Sequence, residues 1–386
     1  MIIVVMLLGA AVVYMVLRRI YSRLWYKNLT LEIAFSKKHV ICGESVQLIE
    51  VVTNKKRLPL PYINVKFQVN RALKFEDGEE NSVVSDMTYR NDVFSLMMYQ
   101  RVTRNIPVKC GRRGVYSLER ADMTSSGLFM NDINLIGTKQ HAHITVFPRS
   151  ADTQKLSVLY SKVTGAVEKN KYLNPDIFAF RGIRDYDTSD TMNTINWKAS
   201  ARNGQLMVNQ YQETMCQSVC ILLNLEPEGM LKDEVLLEES ISIASGLAQN
   251  LIEQRVQVSL VSNGVDYIEN DSVCVDEGMG QAHLNAVNTA LARIDLSKQP
   301  KSFADMLLDL KRGAGAAKNR ALSEKQDVLF VMISQSRRRD VQLAFDSLTG
   351  KNSMCVWILP FYREQETALD YTCASLVEWE VHKRAV

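Results

Sequence analysis

Residues Phe180–Arg202 read FRGIRDYDTSDTMNTINWKASAR, and the reading of the whole chain works outward from them. Arg181, Arg184, Asp185, Tyr186, Asp187, Asp190, Trp197, Lys198 and Arg202 crowd charge and aromatic surface into one short run. It stands just before Val219–Leu223, an unbroken apolar run of the kind that forms a buried strand. Dense charge beside a buried strand predicts a structured polar site rather than a solvated loop. Asp190 is placed to cap a helix beginning near Thr191 by accepting from its free N–H groups. On that helix Asp190, Thr194, Trp197 and Ala201 share one face, with Lys198 and Arg202 four apart on the next. Like charges at that spacing repel by roughly a few tenths of a kcal/mol unless a carboxylate or anion lies between them. Two readings stay open. In one, Asp185 and Asp187 close an internal ion-pair lock onto the sheet. In the other, Trp197 and its basic neighbours form a docking face for another protein. Catalysis is disfavoured, because no histidine is near and nothing pairs a nucleophile with a base.

Downstream of the run, strands alternate with helices. Apolar strands are predicted over 218–225, 257–262, 327–333 and 354–359. Helical spacing covers 231–254, where Val235, Leu236, Ile241, Ala244, Leu247, Ala248 and Leu251 recur, and also 283–294, 303–310 and 340–348. This alternation predicts a parallel sheet with helices on both faces. Upstream, short alternating runs such as Ile63-Val65-Phe67-Val69 are separated by turn signals at Gly43, Pro59, Pro61, Gly78 and Gly111 to Gly114. They predict an antiparallel, immunoglobulin-like β-sandwich. The expected organisation is therefore an α+β multidomain chain: a membrane anchor with basic flank over 1–27, the sandwich over 28–150, a partly helical connector over 151–174, and the run with its α/β domain over 175–386.

Met1 to Leu17 contains no charged side chain, and Arg18, Arg19, Arg23 and Lys27 follow. Such a stretch spans about 26 Å as a helix, near the thickness of a bilayer core. Tyr21, Trp25 and Tyr26 are available for the interface. Because the charges follow the apolar run and no small-residue cleavage site comes after Arg19, a retained anchor is preferred to a signal peptide. The positive flank then places the bulk of a single-pass protein in the cytoplasm. Seven scattered cysteines without a C-x-x-C pair agree with a reducing compartment. A net charge of +3 gives no drive toward nucleic acid. No G-x-x-x-x-G-K-[ST] loop occurs, so ATP hydrolysis by the chain itself is not expected, and no cofactor is implied. His141 and His143 share a strand face without further ligands. Arg337 to Arg339 stand where a sheet strand gives way to a helix, either solvated or facing an acidic partner or phosphate.

Arg184, Asp185, Tyr186, Asp190, Ile195, Trp197, Lys198, Ala199, Ser200, Ala201 and Arg202, continued by Gly204, Leu206, Met207 and Val208, resemble the signature of the domain-of-unknown-function 58 family of prokaryotic proteins. Arg113-Gly114-Val115-Tyr116, Ser126-Gly127-Leu128-Phe129 and Val146-Phe147-Pro148-Arg149 look like its upstream elements. Two positions depart: Ser189 stands where glycine is usual, and Asn196 where aspartate is usual. Members often carry two membrane helices, and one is visible here. The resemblance implies a von Willebrand factor A-like α/β domain. It also implies a setting with MoxR-type AAA+ ATPases and other von Willebrand A-like proteins, in complex maturation or envelope stress. A protein-interaction or assembly factor is therefore expected rather than an enzyme.

In von Willebrand A-like domains the first strand usually ends in aspartate-x-serine-x-serine, which helps to hold a divalent cation. Here Asn224 replaces the aspartate, and Glu226 and Glu228 replace the serines. After the later strand, Ser334 to Arg339 offers no aspartate before Asp340. A hard cation needs several oxygen ligands around one point. The expectation is that the usual metal site is absent, with a metal-dependent adhesion-type module using Glu226 and Glu228 as the alternative.

Overall fold

A computed structural model describes residues 2–77, 82–126, 133–151, 154–157, 159–161, 163, 175–187, 192, 195–213, 218–229, 232–312, 328–349, 355–363 and 375–382. The chain divides into two compact units, Met1–Arg149 and Ser150–Val386.

The first unit opens with helix α1 (Ile2–Leu24), long and apolar enough to cross a membrane, with Ile3 to Leu8 and Val12 to Leu17 largely exposed. Ten strands follow among the described residues: β1 (Leu29–Phe35), β2 (His39–Ile41), β3 (Ser45–Asn54), β4 (Leu60–Asn70), β5 (Leu73–Phe75), β6 (Ser82–Val84), β7 (Met87–Leu96), β8 (Arg101–Cys110), β9 (Gly114–Ser126) and β10 (Ile133–Phe147). They form a four-stranded sheet, β1-β3-β8-β5, and a six-stranded sheet, β2-β10-β9-β4-β7-β6. Alternate residues of both sheets meet in one core, with Leu48, Val52, Ile106 and Val108 against Ile63, Val65, Leu118 and Ile144. This is a β-sandwich. Pairing is antiparallel except for β2 against β10.

The base of α1 corrects one expectation. Tyr21 and Trp25 do not face outward but are buried in the sandwich core, and Tyr26 alone of the three aromatics is exposed. The Tyr21 and Ser125 hydroxyls lie 3.2 Å apart. The Lys56 ammonium donates to the carbonyls of Leu24 (2.9 Å), Trp25 and Lys27 (2.8 Å), where the helix leaves its last acceptors unpaired. Burial lowers the Lys56 pKa to about 8.

The second unit contains a two-stranded ribbon, β11 (Pro175–Asp185) with β12 (Met207–Glu213), bracketing the short helix α2 (Trp197–Asn203). Its sheet has the order β15-β14-β13-β16-β17-β18. The strands are β13 (Ser218–Leu223), β14 (Gln257–Val265), β15 (Ser272–Gly278), β16 (Val328–Ile333), β17 (Cys355–Phe361) and β18 (Ser375–Glu380). All neighbours are parallel except β15, an antiparallel edge strand. Every residue of β13 is buried, with Val219, Ile221 and Leu223 on one face and Cys220 and Leu222 on the other. Helices α3 (Glu234–Glu253) and α4 (Gln281–Arg293) cover the first face. Helices α5 (Phe303–Arg312) and α6 (Arg339–Thr349) cover the second.

Helix occupies part of the stretch 151–174. Its described residues 154–157, 159–161 and 163 are helical, and Leu156, Leu159 and Val163 are buried in the core of the second unit. Gly246 of α3 faces this segment. A Cβ built there would lie 2.6 Å from Leu156 Cδ1 and 2.9 Å from Ser150 Oγ.

Candidate functional site

The signature run forms the ribbon and α2. Arg184 lies opposite Val208 and Asp185 opposite Met207, so the Arg-Asp-Tyr segment is strand, with the Tyr186 N–H donating to the Leu206 carbonyl at 2.9 Å. The expected helix from Thr191 does not form as one piece. Ile195 pairs with Val208 in extended geometry, and the helix begins only at Trp197. Its N-cap is Asn196, whose Oδ1 accepts from the Ala199 N–H at 3.0 Å. Asp190 lies outside the described residues. Gly204 ends the helix at φ +70°, where a residue without Cβ is favoured.

Neutral groups attach α2 to the ribbon. The Asn196 N–H donates to the Met207 carbonyl (2.8 Å), and its side-chain amide donates to Asn209 Oδ1 (2.7 Å). The Ser200 hydroxyl donates to the Asn196 carbonyl (2.8 Å) and accepts from the Met207 N–H (2.9 Å). The cations are not part of this attachment. Trp197 is 66% exposed, Lys198 and Arg202 are exposed, and among the described residues neither cation enters an ion pair. Asp185 is also exposed, while Arg184 is half-buried with Nη1 donating to the Asp185 carbonyl at 3.1 Å. Of the signature residues, the structure thus gathers Trp197, Lys198 and Arg202 on one short, well-fixed exposed helix, with Asp185 out of the lock expected of it.

The second candidate lies at the carboxyl edge of the sheet. Counted along the unit, the strand order is 3-2-1-4-5-6, and the direction in which successive strands are added across the sheet reverses between the parallel neighbours β13 and β16, a switch point of the kind where α/β sheets take ligands. Asn224 and Ser334 occupy that point, both fully buried. Asn224 Nδ2 donates to Ser334 Oγ at 2.9 Å, and Asn224 Oδ1 accepts from the Glu226 N–H (2.9 Å) and Asn263 Nδ2 (3.1 Å). Ser334 Oγ in turn donates to the Ser336 carbonyl at 3.2 Å.

Glu226 and Glu228 are held by the basic cluster that follows β16. Arg338 Nη2 reaches Glu226 Oε2 at 2.9 Å and Asp340 Oδ2 at 3.1 Å. Arg337 Nε reaches Glu228 Oε1 at 3.1 Å. The Phe303 N–H adds a donor to Glu226 Oε2 at 3.3 Å. Arg337 and Arg338 are therefore half-buried and internally paired rather than a solvated helix start. These residues do not suit a divalent cation. Asn224 is neutral, its oxygen is already taken by two donors, and both carboxylates face guanidinium groups.

A third polar cluster, inside the sandwich, was not signalled by any motif. Arg90 and Asp92 of β7 both point inward and form a pair at 2.5 Å. Arg90 also reaches Asp77 at 2.5 Å, and Arg104 reaches Asp92 at 2.5 Å. The guanidinium carbons of Arg90 and Arg104 each sit 4.8 Å from a ring centroid, over Phe75 and Phe94 respectively. Glu50 is fully buried beside them, and neither of its carboxylate oxygens has a hydrogen-bond donor. Burial, reinforced by the negative charge of Asp92, raises the Glu50 pKa to about 8. A protonated Glu50 leaves two arginines facing Asp77 and Asp92, so the cluster is neutral near pH 7. These charges lie between the two sheets and neutralise one another there. Burial raises the thiols of Cys110 and Cys220 to about 11 and about 12, which leaves them protonated and unreactive.

No family model matches the chain, and no curated protein matches it. Solved structures similar to part of it include the CARDB domain of a Pyrococcus furiosus protein, 18% identical over 30% of this chain and 86% of that one, with a TM-score of 0.20. A non-cellulosomal cohesin from Archaeoglobus fulgidus is 11% identical over 29% of this chain and 91% of its own, with a TM-score of 0.21. A cohesin module of a Clostridium perfringens glycoside hydrolase is 12% identical over 30% and 96%, with a TM-score of 0.19.

Proposed function

We propose that this chain is a membrane-anchored interaction and assembly factor of the domain-of-unknown-function 58 type, working with a MoxR-type AAA+ ATPase in complex maturation or envelope stress. α1 serves as a single-pass anchor, and the Arg18-Arg19-Arg23-Lys27 flank keeps the bulk of the chain in the cytoplasm. The doubly wound order, with Asn224 at the end of its first strand and Ser334 at the end of its fourth, supports a von Willebrand A-like reading of the second unit. The arginine-paired loop supports one that binds proteins without a metal.

The observation that carries the proposal is the exposed Trp197–Lys198–Arg202 surface on a helix secured by neutral hydrogen bonds. Tryptophan and arginine are frequent anchors of protein interfaces, and a fixed helix presents them at low entropic cost. The experiment is capture of the purified MoxR-type ATPase from the same source by the full-length chain in detergent. Trp197→Ala with Lys198→Glu is expected to reduce capture at least tenfold while the melting temperature stays unchanged. Equal capture by the folded double variant would overturn the proposal.

A further inference from the structure

We propose that the turn Met97–Tyr99 is a second membrane contact, seated in the headgroup region of an anionic bilayer beside the exit of α1. The proposal rests on the anchor reading of α1. Three consecutive large apolar or aromatic side chains stand out there, Met97 at 66%, Met98 at 58% and Tyr99 at 66% exposure. A turn facing water is normally polar, so such a run needs a partner.

Hydrogen bonds place this turn at the same end of the sandwich as the helix exit. Lys56 donates to the last carbonyls of α1, and the Tyr99 N–H donates to the Lys56 carbonyl at 3.2 Å. The Lys55 N–H donates to the Asn28 carbonyl at 2.9 Å, and Asn54 Nδ2 donates to the Met97 carbonyl at 2.9 Å. The helix end, the β3–β4 turn and the β7–β8 turn are therefore one bonded surface. A bilayer whose apolar core takes the uncharged part of α1, up to Leu17, sets its headgroup layer along the Arg18–Leu24 turns of the helix and so beside this surface.

The surrounding charge fits the same occupant. Arg23, Lys27, Lys55 and Arg57 are exposed around that end and would face lipid phosphates. Apolar side chains flanked by basic ones are the composition that seats a segment about 5–10 Å into the headgroup boundary. Tyr99 suits that depth, with an apolar ring and a polar tip. The far end of the sandwich gives an internal control. β7 has 10 residues, a length of about 33 Å as a strand, and the exposed Val84 adjoins its opposite end.

The test uses the full chain in vesicles of phosphatidylcholine and phosphatidylglycerol, with the photo-crosslinker p-benzoylphenylalanine replacing Leu8, Met98 or Val84. Lipid adducts are expected at positions 8 and 98, at least tenfold above position 84, with the adduct at 98 falling when phosphatidylglycerol is left out. An adduct at 8 but none at 98 leaves the anchor standing and overturns the proposal, freeing the turn for a protein partner. No adduct at 8 overturns the anchor reading and this contact together. Equal adducts at 84 and 98 overturn it as non-specific, and an adduct at 98 indifferent to phosphatidylglycerol overturns the electrostatic half.

Discussion

The Asn224 side-chain amide donates to the Ser334 hydroxyl at 2.9 Å and so ties the ends of two parallel strands across the switch point of the sheet. The tie is neutral and fully buried. Asn224→Asp removes the donating amide and sets a carboxylate beside Glu226, which Arg338 already balances. An unbalanced buried charge and a broken bond cost about 3–5 kcal/mol. For a unit of this size that is a fall of roughly 2–4 °C in Tm per kcal/mol, read by differential scanning calorimetry. Adding Mg²⁺ is expected to restore none of it. Recovery of Tm with Mg²⁺ would show that the loop can still assemble a cation site.

Asn196 caps α2, its Oδ1 accepting from the Ala199 N–H. Asparagine and aspartate are equivalent N-caps to within a few tenths of a kcal/mol, whereas alanine costs about 1 kcal/mol. Asn196→Asp is therefore expected to leave α2 in place, with the Asn209 amide turned to donate. Asn196→Ala is expected to raise amide hydrogen exchange at Ala199 and Ser200 about fivefold. Indistinguishable exchange in the two variants would count against the capping account.

The parallel sheet was legible because its strands are buried on both faces and read as continuous apolar runs, as in Val219–Leu223 and Val328–Ile333. β7 was not, because its inward stripe is Thr88, Arg90, Asp92, Phe94 and Leu96, and charge at inward positions hides a strand. The edge strands β15 and β18 carry mixed burial and weaker alternation, and escaped notice for that reason. Around Trp197, residue types and spacing do not fix the conformation. A helix start at Asp190 and one at Asn196 are both good caps by residue type, and only the tertiary pairing of Ile195 with Val208 selects the later one. The Glu226–Arg338 and Glu228–Arg337 pairs join residues more than a hundred positions apart, beyond the reach of any local pattern.

Gly246→Ala separates propensity from packing. In an exposed helix interior, replacing glycine by alanine stabilises by about 0.5–1 kcal/mol. Here the new methyl would meet Leu156 at 2.6 Å, inside a close contact between α3 and the helical segment around residue 156. Overpacking costs about 1–3 kcal/mol, so the clash wins and the variant is expected to be less stable. Gly246→Ala with Leu156→Ala relieves the contact with Leu156, though not the one with Ser150 Oγ at 2.9 Å, and leaves a cavity, so the double variant should fall by less than the sum of the singles. Additive losses in denaturant unfolding would place the cost elsewhere.

Glu50→Gln tests the buried cluster through its pH dependence. A carboxyl whose pKa rises from its ordinary value near 4.5 to about 8 binds its proton more tightly in the folded chain. The unfolded chain releases that proton first, so the wild-type sandwich loses stability as pH rises through the window from 4.5 to about 8. Glutamine keeps the shape and the donor of the protonated form and cannot ionise. The variant is therefore expected to match the wild type near pH 4.5 and to exceed it progressively above that, by an amount on the order of 4 kcal/mol at pH 8. Urea unfolding of the two proteins at intervals across this range reads the difference directly. A constant offset with no pH slope would mean that Glu50 is ionised in the folded sandwich and held by Arg90 and Arg104. In that case Glu50→Gln would destabilise at every pH above 4.5, the opposite sign.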